Sequence, residues 1–344
     1  MLNKSRVFVA ERWWARGRAT IGGMLASVLI AGGLTGCGES TDKSAEPQVV
    51  GGPALLRRLT ESQYRATVAD IFGAEVPVVA RFETALRSHG LVAAGTSEAG
   101  ISSFAIEQYD SAAHSVADAI LSEDMRDDFM PCQPASNSDF DAVCAGTFID
   151  KYGPLLFRRP LEEVQKARYL EAARLGAANL GGFYEGLKYA LVGMMTSPQF
   201  LLRIERTQPD SENPRLRQLD TYSKAVRLSY FLTNSTPDRE LLRSAETGEL
   251  ETAEGLAHQV DRLIASVNFE HAVRAFFRDM LEFSLFEDLA KDSEIYPAYN
   301  SEVAADAQEQ TLLDIVDLLI AQNGDYRDLF TLSESFMTRP LGIV

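Results

Sequence analysis

Apolar periodicity constrains this chain more than any other property of its sequence. Phe269, Val273, Phe276, Phe277, Met280 and Leu281 fall at i, i+4, i+7, i+8, i+11 and i+12, the spacing that lines one face of an α-helix. Leu312, Ile315, Val316, Leu319 and Ile320 follow the same rule, as do Leu256, Val260, Leu263, Ile264 and Val267, and, earlier, Tyr109, Ala113, Val116 and Ile120. Each stripe buries one side only, so every helix needs a neighbour. Start signals agree with the stripes. Thr60-Glu61-Ser62-Gln63 is a capping box ahead of Tyr64, Val68, Ile71 and Phe72, with Gly73 as the stop. Asp220, Thr236 or Asp238, and Thr252 are placed to cap later helices, while Pro160, Pro198 and Pro237 punctuate between them. Alternating strand patterns and Asn-Gly or Asp-Gly hairpin turns are missing, so almost no sheet is expected. The expected fold is all-α, with multi-helix, bundle-like subdomains behind a flexible N-terminal tether.

That tether is read from the first fifty residues. Lys4, Arg6, Arg12, Arg16 and Arg18 against one acid, Glu11, form a charged segment, and Ile21 to Gly33 is apolar but broken by four glycines. The apolar run is too short and too glycine-rich for a spanning helix and suits a signal peptide. Leu34-Thr35-Gly36-Cys37 then matches a bacterial lipobox, in which the cysteine is acylated and the chain is cut on its N-terminal side. "GESTDKSAEPQVVGGP", residues 38–53, is polar with Gly and Pro and reads as a linker. The sequence therefore divides into a signal at 1–36, lipidated Cys37 and tether at 37–53, and helical domains at 54–130, 131–206 and 207–344. The best internal boundary is "RTQPDSENPRLRQ", residues 206–218. "SESFMTRPLGIV" starts a further element and stops without a polar tail, so the last domain is read as incomplete.

Processing changes the charge balance. Loss of 1–36 removes five basic residues and one acid, leaving 28 Lys and Arg against 48 Asp and Glu and a formal charge of −20. Phosphate backbones repel such a body, which argues against a nucleic-acid partner. Trp13 and Trp14, the two tryptophans, leave with the signal, which excludes a Trp-lined sugar platform. Besides Cys37 only Cys132 and Cys144 occur, in "PCQPASNSDFDAVC", and in an exported chain this polar loop reads as a disulfide. It would fix the helix expected to begin in "FIDKYGPLLF".

No constellation names a reaction. Gly95-Thr96-Ser97-Glu98-Ala99-Gly100 misses the nucleophile elbow at Ala99 and lacks a strand before it, so Ser97 reads as the cap of a helix over 101–121. His89, His114, His258 and His271 nowhere reach metal-ligand spacing, and only His89, in the loop "RSHGLVAAG", has a functional reading to weigh. "SEDMRDD" and "NSDFD" lack the order of a calcium loop. Glu162 and Glu163 point to different faces of a helix, which leaves no acid-base pair. Arg158 and Arg159 beside Pro160 are the candidate anion-binding residues, since paired guanidinium groups clamp carboxylate or phosphate. Pairing with the many acids and with nearby carbonyls is the simpler role. No catalytic residue, metal ligand or cofactor is assigned.

Five stretches carry a resemblance. "LLRRLTESQYRATVADIFG", "GISSFAIEQYDSAAHSVADAIL", "CAGTFIDKYGPLLFRRPLEEVQKARYLEAAR", "GLKYALVGMMTSPQFLLRIE" and "LDTYSKAVRLSYFLTNSTPDRELLRSAETGEL" resemble, in this order, consecutive blocks of the multi-domain proteins of unknown function abundant in planctomycetes and myxobacteria. The likeness spans roughly residues 55–344. Planctomycete members often carry a cytochrome-c-like domain in front and continue further at the C-terminus; this chain has no C-x-x-C-H and lacks the later domains. The resemblance implies an envelope location and a domain order, and brings no activity.

The sequence thus describes a bacterial envelope lipoprotein held to the bilayer through acylated Cys37, at the outer membrane on its periplasmic or cell-surface face. It reads as a helical binding or assembly module with an envelope protein or a c-type cytochrome as partner. The alternative is an extracellular enzyme or redox component, a carbohydrate-active hydrolase or a cytochrome-linked oxidoreductase, with its active part elsewhere. The absence of a nucleophile, metal cluster or nucleotide loop favours the binding module over the enzyme.

Overall fold

Thr60 begins the first helix as its spacing requires. Its hydroxyl accepts from the Gln63 amide at 3.1 Å, and the Gln63 side chain accepts from the Thr60 amide at 3.2 Å. Helix α1, Glu61–Phe72, buries Tyr64, Val68 and Phe72 and ends at Gly73, whose φ of 104° favours glycine. The computed structural model describes residues 54–343 apart from 55, 84, 85, 97–99, 211, 212 and 288. Cys37, the signal and the tether therefore lie outside the described residues, as does Ser97.

Helix α2, Ser103–Ile120, is capped by Ser102, whose hydroxyl accepts from the Ala105 amide. The expected cap at Ser97 is corrected: the chain enters the helix five residues later, at the serine that lies three before a free amide. Its inner face, Tyr109, Ala112, Ala113, Val116, Ala117 and Ile120, is half alanine, and small side chains let neighbours pack close. Helix α3, Ala142–Phe157, starts at Asp141, whose carboxylate accepts from the Val143 and Cys144 amides. The start comes earlier than expected, so Cys144 already sits in the first turn, and the helix continues through Pro154.

Helices α4, Glu163–Leu180, and α5, Phe183–Met195, form a hairpin turned by Gly181 and Gly182, both at positive φ. They cross at glycines. A Cβ on Gly186 would lie 2.3 Å from the Ala173 carbonyl oxygen, and one on Gly176 would lie 2.9 Å from Tyr189 Cβ. A single turn, Pro198–Leu201, follows. Strand β1, Leu56–Arg58, then pairs antiparallel with β2, Leu202–Ile204, and returns the first described segment to the end of the central helices. The polar stretch read as a boundary holds a second ribbon, β3, Thr207–Pro209, against β4, Arg217–Leu219. These two-stranded ribbons are the sheet among the described residues; three residues per strand are too few to show alternation.

The remaining long helices are α6, Thr221–Leu232, α7, Arg239–Glu246, α8, Ala253–Ile264, α9, Val267–Met280, and α10, Ser301–Val316. Asp220, Asp238 and Thr252 cap α6, α7 and α8, whereas the Thr236 hydroxyl donates to the Leu155 carbonyl. The fold is all-α, with three buried clusters. The largest joins α1 to α5 and takes Val226 and Tyr230 from α6. The opposite side of α6 gives Ala225 and Leu232 to a second cluster with Leu241, Leu250 and Leu263. Phe277, Phe283, Leu312 and Ile315 form the third. Cys132 and Cys144 are joined by a disulfide with an S–S distance of 2.05 Å, which clips the loop before α3 to the first turn of that helix.

Candidate functional site

Arg158 ends α3 in the left-handed region, at φ 58°, and that turn drives its side chain inward. Its Nη2 donates to the Phe200 carbonyl at 2.7 Å, and Nη1 donates to the carbonyls of Gln199 and Leu202. These are orphan acceptors at the end of the Pro198–Leu201 turn, so Arg158 acts as its cap. Nε donates to the Tyr230 hydroxyl at 2.9 Å, which lies 3.0 Å from Thr67 Oγ1. One buried guanidinium therefore joins α3, α6 and, through Tyr230, α1. Arg159 points to Asp220, 3.2 Å away, and thereby touches the cap of α6. The two adjacent arginines thus spend hydrogen bonds on different partners, although both line one small crevice with Arg203, Arg206, Gln165 and Gln199.

By sequence Arg203 closes an element together with Glu205 and Arg206 and, like Arg158 and Arg159, weighs as an anion clamp or as a partner of acids and carbonyls. Its guanidinium and that of Arg158 each lie 5.2 Å from the centre of the Tyr230 ring. Burial, with Arg57 and Arg158 nearby, pushes the Arg203 side chain down to about 10. Its facing residue is what the sequence does not give: only the pairing of β1 with β2 sets Arg57 opposite Arg203.

A broader concavity lies elsewhere. A cleft of about 650 Å³ runs between the start of α1, the single helical turn Val92–Gly95, the end of α6, and α9. Phe231, Phe269, Phe276, Phe277 and Phe283 give it an aromatic lining. Phe231 is 78 % exposed and Phe276 is 47 % exposed. The polar groups at its ends hold the walls together. Arg87 Nη1 donates to Asp279 Oδ1 at 2.9 Å and to the Asp279 carbonyl at 2.8 Å, while the Asp279 carboxylate accepts from the Val92 and Ala93 amides. At the other end Asn234 Nδ2 donates to Ser62 Oγ at 2.7 Å. The cleft can therefore take apolar groups without disturbing its own polar bonds.

The histidines are dispersed. His89 is exposed at φ 53° and meets Ser88 Oγ at 3.1 Å; His258 pairs with Glu249, and His114 lies near Asp110. Glu162 caps α4 with the Gln165 side chain returning to its amide, and Glu163 follows inside the helix. Among the described residues no group of three or more His, Cys, Asp and Glu is placed to hold a metal ion, and no helix is long and apolar enough to cross a membrane.

Three domain families match the chain, in order. PSD3, a protein of unknown function (DUF1587), matches residues 57–122; PSD5, a protein of unknown function (DUF1595), matches 144–205; PSD4, a protein of unknown function (DUF1592), matches 219–344. These are domains of the planctomycete-type family that the sequence blocks resemble. No curated protein and no solved structure matches.

Proposed function

We propose that this protein is a lipid-anchored binding module of the bacterial envelope, tethered through Cys37, whose aromatic cleft receives apolar side chains of an envelope protein. The observation that carries the reading is the cleft itself. Phe231 and Phe276 stand at its wall with much of their surface open, and aromatic residues in a concave, desolvated site are the usual anchors of association. Its carboxylates are engaged, Asp279 by Arg87 and two amides and Glu61 by Arg65, so these groups act as walls and not as reagents. The lipobox and polar linker support the anchor, since a cysteine carrying several acyl chains holds to a bilayer where one chain would not.

Two measurements test the reading. An apolar fluorescent dye should bind the full chain in detergent-free nanodiscs and be lost when Phe231→Ser and Phe276→Ser are combined, with the unfolding temperature unchanged. Dye binding that survives the double substitution removes the cleft from the proposal. Cys37→Ala should release the chain from the membrane fraction; membrane association that persists, with no shift in mass, removes the anchor.

A further inference from the structure

Strand pairing sets two arginines face to face. Arg57 and Arg203 are direct partners in the β1–β2 register, so their side chains share one side of the ribbon. Like charges directly opposite are unfavourable in such a ribbon, and the acid nearest Arg203, Glu205, offsets the charge only in part because its carboxylate is held by Arg227 at 2.8 Å. Neither guanidinium has a hydrogen bond or salt bridge to a described residue, and the Nε of each is buried without a partner. Arg158 adds a third positive charge across the Tyr230 ring, with its own donors turned to carbonyls. Arg203 also lines the crevice with Arg159, Arg206, Gln165 and Gln199, whose neighbouring carboxylates, Asp220 and Glu162, are engaged by Arg159 and Arg206.

The chain has acid to spare, with 49 Asp and Glu against 33 Lys and Arg. Yet among the described residues no carboxylate makes a hydrogen bond or ion pair with Arg57 or Arg203, and Glu205 acts on Arg203 only through its charge. Cation–π contact with Tyr230 offsets part of the burial of Arg203, but it does not reduce the net charge and satisfies no N–H. A ligand that answers all these features carries about two negative charges and several acceptor oxygens at tetrahedral or planar spacing, because each guanidinium presents a fixed fork of donors.

We propose that Arg57 and Arg203, facing each other across the β1–β2 ribbon, form a binding site for a phosphate group. Inorganic phosphate and a phospholipid headgroup present the same chemistry, and the site is independent of the aromatic cleft. The test uses the full chain in detergent micelles, at constant ionic strength, with inorganic phosphate as the first probe and phosphatidylglycerol vesicles as the second. A saturable rise in unfolding temperature with inorganic phosphate, absent in Arg57→Gln and Arg203→Gln, supports a site for the free ion. The same arginine-dependent response to vesicles alone supports a headgroup site. Arg203→Lys keeps the charge and loses the fork, so it should weaken phosphate by about tenfold or more. Without phosphate, the Gln variants should unfold at the same or a higher temperature than the parent, because a repulsion has been removed; a merely structural arginine would give the reverse. Responses to both probes that survive in the Arg57→Gln, Arg203→Gln double variant, or no response to either in the parent, overturn the proposal.

Discussion

The cluster built from α1 to α5 and the clusters built from α7 to α10 use the same helical spacing for different ends. In the first, Tyr64 is enclosed by Phe82, Tyr109 and Phe200 with ring centroids 5.2 to 5.7 Å away, and burial pushes its phenol far above the ordinary value. In the second region the stripe on α9 is only partly used: Phe277 is buried, while Phe276 and Leu281 remain open. Val267, which the sequence spacing adds to the stripe of α8, is instead the first residue of α9 and is 82 % exposed. Burial measures how far a stripe has found partners. The first region turns its aromatic rings into one closed cluster, although Phe104, Ile106, Val143 and Val164 stay exposed outside it, whereas in the second region Phe276 stays open and lines the cleft with Phe231.

The largest effect should come from the closed region. Phe148→Ala, at a fully buried position of α3, should cost about 3–5 kcal/mol, and Leu312→Ala on α10 about 2–3 kcal/mol because the thinner third cluster can collapse around the gap. Denaturant unfolding followed by far-ultraviolet circular dichroism reads both. A loss at Leu312 equal to or above that at Phe148 would break the comparison.

Removing the Cys132–Cys144 bridge should come next. Its loop of this length contributes about 3 kcal/mol in the loop-entropy view, and it acts on the closed region alone. Unfolding of Cys132→Ser with Cys144→Ser should fall by that amount with no change in dye binding at the cleft. A coincident loss of dye binding would mean that the two regions unfold as one.

This bridge also shows what the sequence makes legible. Two cysteines in a polar loop, a capping box at Thr60 and the stripe of Tyr109, Ala113, Val116 and Ile120 are local patterns, and each is where the spacing puts it. What the sequence hides depends on distant partners. Nothing local tells that Arg57 meets Arg203, or that Arg158 turns inward to reach the carbonyls of Gln199 and Phe200. The stripe on α9 reads like those of the first region, yet only its neighbours decide that Phe276 stays exposed. Three-residue strands escape for a simpler reason: they are shorter than the period needed to recognise them.

A smaller effect sharpens the contrast through backbone contact. The α4–α5 hairpin packs so closely that a methyl on Gly186 meets the Ala173 carbonyl oxygen, which is backbone and cannot swing away. Gly186→Ala should therefore cost about 1–3 kcal/mol. Gly100→Ala meets nothing within 4 Å and should be near neutral. Thermal unfolding of the pair settles it; equal stability in the two variants would show that the hairpin yields more readily than a closed core should.

The smallest effect sets hydroxyl-capped helices against carboxylate-capped ones by pH. Helices α1 and α2 are capped by the hydroxyls of Thr60 and Ser102, which do not titrate in this range, whereas α6 and α7 are capped by Asp220 and Asp238. Burial opposes ionisation of Asp238, but the Arg262 guanidinium at 2.7 Å and the Leu241 amide at 2.8 Å outweigh it, so its carboxyl is held below the usual 3.8. Asp220 is held down likewise, against its burial, by Ser223 and by Arg159. A carboxyl depressed in the folded state contributes stability above its unfolded pKa, and that contribution is lost as pH falls through the folded value. Acid below 3.8 should therefore loosen α6 and α7 before α1 and α2. Asp238→Ala should cost about 1 kcal/mol at neutral pH, the usual worth of a helix cap, and flatten the acid limb of the stability curve. Hydrogen exchange resolved by helix gives the order directly. If α1 and α2 lose protection first, or if Asp238→Ala keeps the full acid dependence of the parent, the charged caps are not what sets the acid response of α6 and α7.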